Sequence, residues 1–352
     1  MAAVRRCTHV STRQIGNQTV PHPFACRATG EKMTLSKHMT MEPDGEDRQD
    51  PANRRVGVEV EFGGLSAKAA ASVLHGITGG QVIELDPHRF EIECSDLGKL
   101  RVELDSKYVH GSKDASKLER SAREWAGDVS DALVPTELVT DPLPVSALST
   151  VDHLVAALAT AGATGNEQPH LACGLHLNIE WADREVEPIL RILQAFMVLA
   201  PELRTQIDPD TTRKLLPFIA QYPGEYQDKV LDPAYSPDFP EFVRDYCEAN
   251  PNKNRELDLF PLLASIDRDL VASVLGDDPS AVRPAFHYRL PDARIGDSSW
   301  SISQEWQRWL AVEDLARDRS TLLRRISDMQ SKNRKERIFN AAADAIKRVM
   351  DK

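Results

Sequence analysis

The sequence predicts an α+β fold, an antiparallel β-sheet flanked by helices. Three observations carry this. From residue 54 onward, short segments alternate apolar and polar residues at the strand period. Helical patterns lie between them in irregular order, without the strict strand–helix alternation of a parallel sheet. Each strand also has one apolar and one polar edge, as in an antiparallel sheet packed on one side.

Residues 1–52 show neither period. Their first forty residues carry Arg5, Arg6, Arg13, Arg27, Lys32 and Lys37 against Glu31, and a polar acidic run follows from Met41. A disordered extension is expected, with Met33, Met39 and Met41 as alternative initiators. It has no apolar h-region, so no signal peptide is expected. Strands are predicted over Arg55–Phe62, Gln81–Leu85, Phe90–Cys94, Lys99–Asp105, Thr136–Thr140, Ala172–Glu180 and Ala285–Leu290. Helices are predicted over Ser66–Ile77, Ser112–Leu133, Ser149–Ala161, Arg184–Leu199, Glu256–Leu275 with Gly276 as its stop, and Ser299–Asp318. Pro201–Pro261, rich in Pro, Tyr and Asp, reads as a partly irregular insertion, a lid or substrate loop. In the tail, Leu322, Ile326 and Met329, then Ile338, Ala342, Ile346 and Met350, mark one or two amphipathic helices interrupted near the Lys332–Arg337 basic run. The expected organisation is an extension at 1–52, a central domain at 53–312 and a charged helical tail at 313–352.

Composition narrows the function classes. The 352 residues are 41% hydrophobic and 28% charged with a net charge of −11, which describes a soluble globular protein without a broad nucleic-acid or anionic-membrane footprint. The longest apolar run, Ile192–Pro201, is about half of the ~20 residues a bilayer span needs. Cys7, Cys26, Cys94, Cys173 and Cys247 are scattered without a CxxC pair, as reduced thiols of a cytoplasmic protein would be. Neither GxxxxGK[ST] nor GxGxxG occurs, and HExxH and GxSxG are missing too, so the common nucleotide-loop, zincin and serine-hydrolase signatures are excluded. Trp300, Trp306 and Trp309 read as helix packing, and His75, His88, His110 and His153 as structural or exposed.

The chemistry lies in the polar edges of the strands. In Arg55–Phe62, Val56, Val58, Val60 and Phe62 share one face and Glu59 and Glu61 the other, about 7 Å apart, within reach of one or two shared cations. In the fourth strand Arg101, Glu103 and Asp105 oppose Leu100, Val102 and Leu104. His176, Asn178 and Glu180 oppose Leu175, Leu177 and Ile179, while His287 and Arg289 oppose Phe286, Tyr288 and Leu290. Glu137 adds a carboxylate from a short strand. A merely wet face would favour Lys, Thr and Ser. Glu, His and Asn instead suit Mg²⁺ or Mn²⁺ more than a tetrahedral zinc site.

These segments resemble the amidoligases, a family similar to glutamine synthetase and glutamate–cysteine ligase. Gly57-Val-Glu-Val-Glu-Phe62 resembles the family's opening GxExEF strand. Val102–Ser106, Thr136–Leu143, Gly174–Asn178 and Tyr288–Asp292 resemble its later motifs in order, and Asn254–Leu259 is a fainter match. The likeness covers roughly residues 54 to 310. It implies a curved antiparallel sheet shaped as a glutamine-synthetase-like funnel, with ATP entering one end and substrate the other. It further implies an ATP-dependent carboxylate–amine ligase that forms an amide or isopeptide bond through an acyl phosphate. The amine would come from an amino acid, a polyamine, or a peptide or protein side chain. By resemblance, Glu59, Glu61, Glu137, His176 and His287 hold metal, with Glu59, Glu61, Asn178 and Arg289 toward ATP. Arg289 neutralises the transferred phosphoryl group, and Asp105 orders substrate or a bound water. The family has Glu where this chain has His287, which lowers affinity for Mg²⁺ and favours either Mn²⁺ or a catalytically degenerate ligase-fold protein that binds a nucleotide or peptide. Asp258 stands where the family tends to have Asn.

Overall fold

The computed structural model describes residues 54–94, 96–105, 134–165, 172–215, 219–251, 254–276 and 282–350, with backbone alone at 333 and 336–350. The extension at 1–52 and the expected helix at Ser112–Leu133 lie outside the described residues. The strands are β1 (Arg55–Phe62), β2 (Gln81–Asp86), β3 (Arg89–Cys94), β4 (Gly98–Leu104), β5 (Thr136–Thr140), β6 (Leu143–Pro144), β7 (Leu175–Glu180), β8 (Leu257–Asp258) and β9 (Ala285–Tyr288). They form one nine-stranded sheet in the order β2-β3-β4-β5-β1-β7-β9-β8, with β6 also pairing β1. Every pairing is antiparallel and the sheet does not close, so the fold is α+β.

The described helices are α1 (Ala67–Thr78), α2 (Leu148–Thr160), α3 (Val186–Ile207), α4 (Thr211–Leu215), α5 (Gly224–Val230), α6 (Phe239–Ala249), α7 (Phe260–Ile266), α8 (Arg268–Leu275), α9 (Ile302–Arg317) and α10 (Arg319–Met350). None is long and apolar enough to cross a membrane. The apolar strand faces form the core. Val56, Val58, Val60 and Phe62 are fully buried, each contributing about 1.5–3 kcal/mol of transfer free energy. Helix α1 covers β3 and β4. Trp309 of α9 stacks at a tilt on Phe286 and Tyr288, and Phe196 of α3 meets the Tyr288 ring edge-on, so the tryptophans of α9 are packing residues. At the start of β1, buried Arg54 pairs with Glu313 of α9, which also accepts from Trp309 Nε1 at 2.5 Å. This joins the last helices to the central strand.

Three expectations need correction. Helix α3 does not stop at Leu199 but runs through Pro201 to Ile207, ending on Asp208 in the left-handed region at φ 46°. Burial of Leu203 and Ile207 offsets the carbonyl that Pro201 leaves without an amide partner. The expected helix Glu256–Leu275 is instead β8 followed by α7 and α8, because Asp267 is extended and its side chain caps α8 through the Leu270 N–H. The Pro201–Pro261 stretch is partly irregular as expected, with non-regular segments at 208–210, 221–223 and 231–238, but it also holds α4, α5 and α6 besides the end of α3. The tail is a single helix whose Leu322 and Ile326 are buried, without the expected interruption.

Candidate active site

Strand β1 lies between β5 and β7, and the registers bring the polar edges into rows. Glu59 pairs with His176, while Glu61 pairs with Glu137, which in turn pairs with Glu103 of β4. Asn178 pairs with His287, and His287 with Asp258 of β8. This face is not wet. Glu59 and Glu137 are 8% exposed, Glu61 4%, His176 2% and Asp258 1%.

The tightest convergence involves Glu59, His176 and His287, each offering a donor atom within 4.8 Å of the others. Glu59 Oε2 lies 3.1 Å from His176 Nδ1, a hydrogen bond in the tautomer protonated there. Its Oε1 accepts from Asn178 Nδ2 at 2.8 Å and from Arg283 Nη1 at 3.1 Å. His287 Nε2 is 3.9 Å from Glu59 Oε2, and the two imidazoles stand at 87° with centroids 5.2 Å apart. Glu61 Oε2 accepts the Gly174 N–H at 2.8 Å, with its Oε1 3.8 Å from His176 Nε2. Among the expected site residues, the structure thus gathers Glu59, Glu61, His176, Asn178 and His287, with Glu137 across the strand pair from Glu61. Arg289 is buried just past β9, its N–H on Glu256 O. Asp105 is buried just past β4, its N–H on Pro135 O.

The protonation states suit a cation. Burial pushes the Glu59 carboxyl up, but the hydrogen bond from His176 and the charges of His287, His176 and Arg283 outweigh it, holding Glu59 well below the usual carboxylate range. Burial pushes the His287 imidazole below its ordinary value, against the pull of Asp258 and Glu59. An anionic carboxylate beside a neutral imidazole is what a divalent ion requires. His287 Nε2 and Asn178 Oδ1 are buried without a hydrogen-bond partner, and the donor set of oxygens and imidazole nitrogens fits a divalent cation.

Two neighbours, Arg283 and Asp258, escaped the strand pattern, whereas Glu103 was part of it. Arg283, half-exposed at the rim, shares the parity of His287 and Arg289, which was the available signal. Asp258, noted in the sequence only as a departure from the family, faces His287. Glu103 is salt-bridged by Arg89 at 2.6 Å and Arg101 at 2.8 Å. Behind the cluster, buried Arg213 of α4 donates to Arg289 O at 2.8 Å, Leu290 O at 3.2 Å, Pro291 O at 2.5 Å and Asp292 Oδ1 at 2.9 Å. Gly174 permits this closeness, because a Cβ there would meet Arg213 Nη2 at 2.8 Å and His176 Nε2 at 3.0 Å. Gly174→Ala should therefore cost about 1–3 kcal/mol in urea unfolding. An unchanged midpoint would mean that Arg213 and His176 yield freely.

A family model described as "Putative amidoligase enzyme" matches residues 52–311, a span containing every residue of this cluster. No curated protein and no solved structure matches the chain.

Proposed function

Because the chain belongs to the amidoligase family, and is in that broad sense a ligase, we propose that it is an ATP-dependent carboxylate–amine ligase of the cytoplasm, forming an amide or isopeptide bond through an acyl phosphate. The observation that carries this reading is the convergence of Glu59, His176 and His287, next to three carboxylates in register. Like charges directly opposite on neighbouring strands weaken pairing by about 0.2–1 kcal/mol each. Glu61 and Glu137 stand in that relation, which a bound cation would reverse, while Glu103 beyond them is already compensated by Arg89 and Arg101.

In this reading Glu59, Glu61, Glu137, His176 and His287 would hold divalent cations, Mg²⁺ or Mn²⁺. The cations would supply charge neutralisation for phosphoryl transfer. Arg289 neutralises the transferred phosphoryl group, and Arg283 at the rim takes phosphate oxygens. Asn178 Oδ1 accepts from the nucleotide, while Asp105 orders the amine-bearing substrate. The substrate carboxylate oxygen attacks the γ-phosphorus and ADP leaves. The amine nitrogen then attacks the acyl carbon, the bond from that carbon to the phosphate oxygen breaks, and the amine proton passes to solvent. Rigid strands hold the acids in place, so little reorganisation is needed as charge develops. The open sheet would form the wall of a glutamine-synthetase-like funnel, with ATP and substrate arriving from opposite ends. The amine belongs to an amino acid, a polyamine, or a peptide or protein side chain.

The test supplies ATP, Mg²⁺ or Mn²⁺, a panel of carboxylates and hydroxylamine as a general nucleophile. Matched formation of ADP, phosphate and hydroxamate is expected. Failure to bind ATP with either metal would remove the reading. His287, in place of the family's Glu, motivates a second one, in which a degenerate ligase fold binds a nucleotide or peptide. ATP binding without ADP formation across the panel would favour that alternative.

A further inference from the structure

Two kinds of donor set occupy the buried polar face. Glu61 and Glu137 offer only oxygen across adjacent strands, the chemistry of a hard ion such as Mg²⁺, while Glu103 beyond them is held by Arg89 and Arg101. The Glu59 cluster offers one carboxylate and two imidazoles. Imidazole suits first-row transition ions, and Mg²⁺, which demands octahedral oxygen ligands, has little use for it.

The surroundings of His287 reinforce the contrast. Its Nε2 is buried, has no hydrogen-bond partner and lies near Glu59. On the other side of the ring, Nδ1 faces Asp258 Oδ2 at 3.7 Å. Asp258 is 1% exposed and is itself held, its Oδ1 accepting the Phe260 N–H at 2.9 Å and the Tyr246 hydroxyl at 3.5 Å. A carboxylate behind a histidine whose far nitrogen points at other ligands is the outer-sphere arrangement that orients metal-bound imidazoles.

We propose that Glu59, His176 and His287 form a transition-metal site that selects Mn²⁺, Co²⁺ or Zn²⁺ over Mg²⁺, with Asp258 as the residue that positions His287. The inference rests on the metal-holding role given to this cluster under the proposed function and adds which ion it takes. Mg²⁺ then accompanies ATP on the oxygen-only row, and the second cation is a different element.

The experiment titrates the nucleotide-free chain calorimetrically with Mg²⁺, Mn²⁺, Co²⁺ and Zn²⁺, for the wild type, His287→Glu and Asp258→Asn. For the wild type, affinity should rise in the order Mn²⁺, Co²⁺, Zn²⁺, with Mg²⁺ at least about tenfold weaker than Mn²⁺. His287→Glu should narrow that gap by strengthening Mg²⁺ and weakening Zn²⁺. Asp258→Asn should weaken Zn²⁺ by about 10–100-fold and leave Mg²⁺ unchanged. Pulsed EPR of wild-type protein loaded with Mn²⁺ should show nitrogen coupling from imidazole, a readout that needs no variant to fold. If Mg²⁺ binds as tightly as Mn²⁺, or the EPR shows oxygen ligands alone, the selectivity is overturned while the metal-holding role stands. If no cation binds, that role falls as well.

Discussion

Glu59→Gln should reduce ATP-dependent ligation by on the order of 10³-fold or more, while leaving the far-ultraviolet circular dichroism unchanged. The side chain keeps its size and its amide oxygen can still accept from Asn178 and Arg283, which both donate to Oε1. The charge is what disappears. Glu59 is the carboxylate of the three-donor cluster, and its loss leaves Arg283 and any bound cation without an anion between the two imidazoles. Outer-sphere changes around metals cost about 10–100-fold, so loss of the ligand itself should exceed that range. Steady-state kcat/KM by coupled ADP detection provides the check. A variant within tenfold of wild type would show that Glu59 is a packing acid and that the chemistry lies elsewhere.

Arg213→Met should destabilise the protein by about 3–5 kcal/mol, the range for removing one partner of a buried ion pair. Arg213 and Asp292 are 1% and 2% exposed. The guanidinium gathers the carbonyls of Arg289, Leu290 and Pro291 around Asp292, so the chain leaving β9 loses its organiser as well as a charge. Asp292 retains the Asp210 N–H at 2.7 Å and a longer contact to Arg294 at 3.8 Å, too little to compensate a buried carboxylate. Urea denaturation gives the magnitude. Adding Asp292→Asn to Arg213→Met should recover part of the loss, since the stranded charge is then gone. A single variant within 1 kcal/mol of wild type would mean that water reaches Asp292 in its place.

Local pattern made much of the sheet readable. The predicted limits of β1 and β5 coincide with the observed strands: in β1 apolar and polar residues alternate without interruption, and β5 is short and rich in β-branched Thr and Val, both properties of neighbours in sequence. Strands β6 and β8, two residues each, are defined by their partners and leave no periodic trace. Asp258 was absorbed into a helical pattern for this reason. The α7–α8 break was equally obscure, because Asp267 follows one helix and caps the next, so apolar spacing runs on past a turn. For the site, alternation identified which side chains share a face, but the register that sets Glu59 against His176 depends on strands meeting across more than a hundred residues. Burial of the polar face was also beyond local reading. Residue type argued against a merely wet face, but only the assembled fold shows these residues nearly closed off from water.

The central place of β1 has a consequence for the order of folding. Hairpins β2–β3 and β3–β4 join neighbours in the chain and can zip early, whereas Glu59 meets His176 across 117 residues and Arg283 across 224. Closing longer loops costs only about 0.6 kcal/mol per doubling in length, but contacts of such high order slow the search for the native topology. The Glu59 cluster is therefore complete only once β7 has paired with β1 and β9 has docked on β7. A chain stalled midway would hold well-formed hairpins and no cluster, so cation binding during refolding would report completion of the whole topology.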